Sequence, residues 1–179
     1  MKKYNTIFLD RDGTINPDPG YISSLDQFEF YDFTFSSLKR LTKDGHRFCI
    51  VTNQSGVSRG LIKQKELDNI HDYVKNQFMK NSIPLLGIYI ATDHPDTATI
   101  RRKPGIGMFL EASNDHNLDL KDSLIIGDSI NDIQAGKDLG MDTILVLTGR
   151  GSQTILDYPD LKPDVVVSNI EEAADWILK

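Results

Sequence analysis

Short, continuous apolar runs alternate along the chain with longer stretches in which apolar residues recur every three or four positions. The runs lie at residues 5–10, 46–52, 85–91, 123–127, 143–147 and 165–167. Each is apolar without alternation, as expected of strands covered on both faces. Between them, helical spacing predicts helices over 34–44 (Leu38 and Leu41 on one face, closed by Gly45) and 63–81 (Leu67, Ile70, Val74 and Phe78 as its stripe). Further helices are predicted from Lys103-Pro104-Gly105 to about Asn117, with Pro104 in the first turn, over 131–139 closed by Gly140, and over 170–178. Strands alternating with helices predict an α/β fold built on a mainly parallel sheet with helices on both faces. Residues 14–32 read as an ordered flap, with Phe28, Phe30, Tyr31 and Phe33 as packing aromatics; 92–102 is a polar segment and 149–151 a loop. There is no repeat, low-complexity tract or linker, so residues 1–179 are expected to form a single domain.

Composition narrows the partners. The net charge is −6 with a pI near 5.1, which argues against a nucleic-acid surface. An anionic substrate would have to be met by a local cationic site. The one cysteine, Cys49, sits inside an apolar run and reads as a buried small hydrophobe, which suits a reducing compartment. The basic start lacks an apolar stretch of leader length and no run approaches a membrane span, so a cytoplasmic protein with no membrane contact is expected.

The candidate chemistry stands where the strands end. The first run stops at Asp10, followed by Arg11, Asp12 and Gly13; two carboxylates this close need a shared proton, a basic side chain or a divalent cation between them. Taken alone, Asp-x-Asp-Gly is ordinary turn chemistry. Thr52 and Asp128 also stand just past strand ends, and Lys103 at the predicted start of a helix. Loops beyond the carboxyl ends of parallel strands form the ligand crevice, so the fold would bring these four to one edge. Asp10 can attack phosphorus, Asp12 can exchange a proton with the leaving alkoxide, and Thr52 and Lys103 can hold phosphoryl oxygens. Asp10 and Asp128 offer hard oxygen ligands for magnesium. Taken singly, Lys103 would be a surface lysine, Asp128 a helix cap, and Asp132 a first-turn acid favoured by the helix dipole.

DRDGT at 10–14, VTNQSG at 51–56, RKP at 102–104 and GDSIND at 127–132 resemble, in order, the four motifs of the haloacid dehalogenase superfamily. The resemblance implies a Rossmann-like, doubly wound core and magnesium-dependent phosphatase chemistry through an aspartyl-phosphate. It implies Asp10 as nucleophile, Asp12 as acid/base, and Thr52 and Lys103 as phosphoryl stabilisers. Metal ligands would be Asp10, the Asp12 carbonyl and Asp128, with Asp132 as a supporting acid. More narrowly, Asp18-Pro19-Gly20-Tyr21, FEF at 28–30 and TNQSGVSRG at 52–60 are similar to the heptose 1,7-bisphosphate phosphatase branch, whose sister group acts on histidinol phosphate. That likeness implies removal of the 7-phosphate of the heptose, and substrate contacts from Asp18, Pro19, Gly20, Tyr21, Asn53, Gln54, Ser55 and Arg102.

Many members of that branch bind a structural zinc before the lysine. Aligned through His94-Pro95 and Arg102-Lys103-Pro104, those ligand positions are here Ala91, Asp93, Thr99 and Arg101, so no zinc is expected and the loop must be held by packing and hydrogen bonds. The intervals between motifs leave no room for a large cap domain, and a monomer open to a small phosphorylated sugar is expected. Two other readings stand beside this one: a histidinol-phosphate phosphatase or other small phosphomonoesterase, and a receiver-like module phosphorylated on aspartate.

Overall fold

The structure, a computed structural model, describes residues 3–179; Met1 and Lys2, part of the basic start, lie outside the described residues. Six parallel strands form one sheet: β1 (Thr6–Leu9), β2 (Phe48–Asn53), β3 (Leu85–Ala91), β4 (Ser123–Gly127), β5 (Asp142–Val146) and β6 (Val165–Val167). Their order across the sheet is β3-β2-β1-β4-β5-β6. The helices are α1 (Thr34–Lys43), α2 (Gln64–Lys80), α3 (Gly107–His116), α4 (Ile130–Asp138), α5 (Gly151–Asp157) and α6 (Ile170–Ile177).

Strand side chains alternate between two buried layers. Ile7, Leu9, Phe48, Ile50, Leu124, Ile126, Ile144 and Val146 meet the apolar stripes of α1, α2 and α6. Phe8, Cys49, Val51 and Ile125 meet Met108, Phe109 and Ala112 of α3 and Ala135 of α4. Both faces are therefore covered, as the unbroken apolar runs require. Cys49 is fully buried, and burial pushes its thiol up to about 12, which keeps it protonated. The flap aromatics do pack: Phe28 and Phe30 meet edge to face at 5.0 Å and both lie near Tyr73 of α2.

Two elements differ from the pattern reading. The helix expected from Lys103 begins at Gly107, because residues 100–106 are tied into turns instead: Gly105 N–H donates to the Arg102 carbonyl at 2.7 Å and Gly107 N–H to the Ile100 carbonyl at 2.8 Å. Pro104 follows a cis peptide bond in this turn and is not in the helix's first turn. Helix α5 has no strong stripe, with Leu156 exposed and Gly151 and Thr154 its buried positions, so its pattern is silent.

The register aligns Leu9 with Ile50 on one side and Ile126 on the other, so β1 and β4 end at nearly one level while β2 runs on to Asn53, which places Thr52 inside the strand, next to its last residue, and not just past its end. From β1 the chain builds the sheet one way, to β2 and β3, then crosses back to β4 and builds the other way. The reversal opens a crevice between β1 and β4, where a doubly wound sheet binds its ligand. Asp10 and Asp128 are the first residues beyond those two strands.

Candidate active site

Asp10, Thr52, Lys103 and Asp128, far apart in sequence, line one cavity of about 380 Å³. Lys103 is the hub. Its Nζ donates to Asp10 Oδ1 at 2.9 Å, Asp132 Oδ1 at 2.6 Å and the Val51 carbonyl at 2.7 Å. Asn53 fixes the lysine's main chain: its Nδ2 donates to the Lys103 carbonyl at 2.9 Å and its Oδ1 accepts the Lys103 N–H at 3.0 Å. Lys103 thus reaches the site from a turn rather than from a helix start. Burial works against its charge, but Asp10 and Asp132 more than offset that and hold its ionisation above the ordinary lysine value.

Oxygens of Asp10, Asp128 and Asp132 lie within 4.8 Å of one another. Three carboxylates thus gather around one ammonium. Burial, more than the Lys103 charge relieves, raises the Asp10 pKa, helped by Asp132; burial and then the neighbouring charge of Asp10 raise that of Asp128. Asp132 is already engaged. It closes a capping box at the start of α4, with Oδ2 accepting from the Ser129 N–H at 3.1 Å and the Ser129 hydroxyl at 2.6 Å. Ser129, not Asp128, is the cap of that helix. Asp128 Oδ2 instead accepts the Arg150 N–H at 2.7 Å. Asp10 Oδ2 and Asp128 Oδ1 accept no hydrogen bond among the described residues. Two free hard oxygens with uncompensated charge fit a divalent cation such as magnesium and not a soft metal.

Asp12 also lines the cavity, but its carboxylate is held apart from this cluster. Arg11, fully buried, forks onto it with Nε to Oδ1 at 2.9 Å and Nη2 to Oδ2 at 2.7 Å. Asn16 adds a bond to Oδ1 at 2.9 Å and Gln54 one to Oδ2 at 2.7 Å. Burial would raise the pKa of Asp12, but the guanidinium and the two amides outweigh it and hold the group ionised. Each acid of the Asp-x-Asp pair therefore has its own cation: Lys103 for Asp10 and Arg11 for Asp12. Behind Arg11, His71 Nε2 lies 2.9 Å from Nη1 and must accept, since guanidinium only donates. Burial, and then the Arg11 charge, push His71 down to about 3, so it is neutral.

Gln54 donates to Thr52 Oγ1 at 2.9 Å as well. With that lone pair taken, the Thr52 hydroxyl is left to donate its own proton. Asn53 and Gln54, expected to touch substrate, line the cavity and also use their amide groups to hold Lys103, Thr52 and Asp12. Asp18, Gly20, Tyr21, Ser55 and Arg102 line the cavity, whereas Pro19 is exposed and does not. The pattern reading omits Arg59, Ser129, Asn131 and Arg150, which also line it, and gives no role to Arg11. An arginine between two aspartates was the available signal for the last.

Where zinc ligands would stand, the loop is stapled by hydrogen bonds. Asp93 Oδ2 accepts the Thr99 N–H at 2.7 Å and its hydroxyl at 2.5 Å, Thr99 Oγ1 accepts the Arg101 N–H at 3.1 Å, and Arg101 pairs with Glu111 of α3.

Similarity to known proteins agrees with this architecture. A hydrolase-like family model described as HAD-hyrolase-like matches residues 100–173. A D-glycero-beta-D-manno-heptose-1,7-bisphosphate 7-phosphatase of Yersinia pestis is 36% identical over 180 residues, which cover 96% of this chain and 88% of that protein. The chain belongs to the haloacid dehalogenase-like phosphatases, in the family of the heptose-1,7-bisphosphate 7-phosphatases. A relative from Burkholderia mallei, named for the alpha anomer, is 36% identical over 160 residues, covering 86% of this chain and 85% of its own length. The crystal structure of the D,D-heptose 1,7-bisphosphate phosphatase of B. bronchiseptica, complexed with magnesium and phosphate, superposes with a TM-score of 0.88 at 30% identity, covering 97% of this chain and 98% of the other. Among the described residues, no helix is long and apolar enough to cross a membrane.

Proposed function

We propose that this phosphatase removes the 7-phosphate of D-glycero-D-manno-heptose 1,7-bisphosphate through an aspartyl-phosphate on Asp10. What carries the reading is the junction of Lys103 with Asp10 and Asp132, beside Asp128, in a family whose named members act on that sugar. Magnesium, held by Asp10, Asp128 and the Asp12 carbonyl, would supply positive charge that lets a phosphate dianion approach these acids. Asp10 attacks phosphorus as the bond to the sugar oxygen breaks. Lys103 and the Thr52 hydroxyl hold the phosphoryl oxygens as charge shifts between them. Asp12 hands a proton to the departing alkoxide, then takes one from the water that opens the acyl phosphate. In the free site its four donors favour the carboxylate, the form the second step uses; the first step requires Asp12 to take up a proton and loosen that cage. We read Asp132 as a positioning acid for Lys103, and Asp18, Gly20, Tyr21, Ser55 and Arg102 as substrate contacts. A monomer working in the cytoplasm suits the single buried thiol.

The test is release of inorganic phosphate from both anomers of the heptose bisphosphate, and from histidinol phosphate, with magnesium present. Turnover is expected on the heptose bisphosphate, stopping at the 1-phosphate, and is expected to be lost in Asp10→Asn. No release from any phosphomonoester, or an Asp10→Asn protein as active as the parent, would end the proposal. Faster turnover of histidinol phosphate would move the substrate to the sister group.

A further inference from the structure

Behind the cavity, one polar residue interrupts the apolar stripe of α2. His71 stands among the buried positions of that helix, next to Ile70 and one turn from Leu67 and Val74, and is 3% exposed. Its Nε2 accepts from Arg11 Nη1 at 2.9 Å. With Nε2 accepting, the proton of the neutral ring sits on Nδ1, which is buried and has no partner among the described residues. A buried donor left in that state costs stability, and a leucine would fill the same place without the cost. The ring therefore does little for the core that an apolar side chain would not do better. What it does is engage Arg11.

Arg11 needs that engagement. Its Nε and Nη2 are both spent on its sequence neighbour, Asp12, so the fork ties the two residues to each other and not to the rest of the fold. The outside supports are His71 on Nη1 and the ring of Phe28, whose centroid lies 5.7 Å from Arg11 Cζ. Arg11 and Asn16 are fully buried and lie outside the cavity lining, whereas Gln54 reaches the same carboxylate and lines the cavity. Together their four bonds fill the lone pairs of both Asp12 oxygens. Asp12 can accept a proton only when one donor lets go, and Gln54 is the donor on the cavity side, where water or a ligand can take its place. Arg11 then remains at the back as the fixed group that aims the carboxylate.

We propose that His71 is a positioning residue for catalysis: through Arg11 it holds the Asp12 carboxylate aimed at the water that opens the acyl phosphate. The inference rests on the phosphatase reading above. In that step the water oxygen bonds to phosphorus, the bond from the Asp10 oxygen to phosphorus breaks, and the water's proton passes to Asp12. His71 itself does not line the cavity.

The test has two arms. In the first, the parent, His71→Leu and His71→Gln hydrolyse 2,4-dinitrophenyl phosphate with magnesium present; that leaving group departs without a proton, so only the second step calls on Asp12. In His71→Leu kcat is expected to fall roughly tenfold to a hundredfold, the scale of a misplaced catalytic group. KM falls with it, so that kcat/KM, which ends at formation of the aspartyl-phosphate, holds within about twofold. The share of protein carrying hydroxylamine-labile phosphate after an acid quench rises. His71→Gln, whose side-chain oxygen accepts in place of Nε2, restores most of kcat. A merely loosened core would instead lower kcat and kcat/KM together and accumulate no phosphoprotein. In the second arm, without substrate, hydrogen exchange of the Arg11 Nε–H is followed by NMR of protein labelled with nitrogen-15 arginine, against the backbone amides of β4. Relative to those amides it is expected to speed up roughly tenfold or more in His71→Leu and not in His71→Gln. An unchanged kcat in His71→Leu, an equal fall of kcat and kcat/KM, or an unchanged Arg11 exchange overturns the proposal. Arg11 exchange that answers to His71 in a parent that turns over no phosphomonoester would keep the hold of His71 on Arg11 and sink the phosphatase reading.

Discussion

Gly149→Ala isolates the metal-site geometry from ordinary backbone strain. Gly149 has φ +55, where an L side chain costs about 1 kcal/mol. A Cβ there would also lie 2.2 Å from Asp128 Oδ2 and 2.4 Å from the Gly13 Cα, against 3.4–4 Å for ordinary contact. More than an ångström must be found. The carboxylate cannot rotate away cheaply, because the same Oδ2 accepts the Arg150 N–H at 2.7 Å. Gly13 cannot yield without carrying Asp12 with it. The substitution therefore displaces a proposed magnesium ligand by about an ångström, on the scale at which misplacing a catalytic group costs roughly a hundredfold. Gly140→Ala is the matched control: φ is +69, but the nearest atom, Lys121 Cγ, is 3.8 Å away and the site is remote. Gly140→Ala should lose about 1 to 2 kcal/mol in chemical denaturation, and Gly149→Ala about 1 to 3 kcal/mol more for the overpacking. Only Gly149→Ala should raise the magnesium concentration for half-maximal activity, by roughly tenfold to a hundredfold. If the two variants show the same magnesium requirement, the loop after β5 does not position Asp128 and the reasoning fails.

Three further outcomes are expected. Lys103→Met leaves Asp10 and Asp132 buried without their cation, so it should cost about 3 to 5 kcal/mol in urea unfolding as well as nearly all activity; a stable, inactive protein would contradict the first part. In metal-free protein, Asp10 and Asp128 are raised to about 7 and about 8. Their contribution to stability is then full below the ordinary carboxylate value and lost as pH rises through those values, whereas that of Asp12, held low, is present above the ordinary value and lost below it. Melting temperature with chelator should fall between about pH 5 and about pH 9, and magnesium should remove the fall; a flat metal-free profile would refute this. Asp93→Ala removes both bonds to Thr99 and should raise KM several-fold while kcat changes little, because it loosens the loop that carries Arg102; an unchanged KM would show that the staple is decorative.

The fold was legible wherever burial alone decides the residue type. Strands β1, β2 and β4 are covered on both faces, so their composition has no freedom to disguise them. Where hydrogen bonds decide, the pattern was quiet. The turn at 100–106 is closed by backbone groups of Ile100 and Arg102, which any residue supplies, so from the pattern alone Lys103-Pro104 reads as a helix opening. Helix α5 is held by Thr154 Oγ1 donating to the Asp128 carbonyl at 3.0 Å and by a glycine whose Cβ would strike the Val146 carbonyl, neither of which leaves an apolar stripe.

The site divides along the same line. Asp10, Thr52 and Asp128 are legible because each closes an apolar run, where a polar residue is conspicuous; Lys103, in a turn after a polar segment, is legible only through its place in the Arg-Lys-Pro motif. Arg11 was not, although it is among the largest fully buried side chains, because a charge beside two acids looks like surface until the fold buries it. Its burial is tolerable only because Asp12 and the neutral His71 take its donors, so Arg11, Asp12 and His71 stand or fall together. Asn53 and Gln54, expected to contact substrate, line the cavity and also tie Lys103, Thr52 and Asp12 in place through their amide groups, a scaffold role that the motif alone does not reveal. Whether a polar side chain serves the ligand or the scaffold depends on how many partners the scaffold has already claimed. By that measure the groups left free to meet a substrate include the Thr52 and Ser55 hydroxyls, one oxygen each of Asp10 and Asp128, and the Arg59 guanidinium.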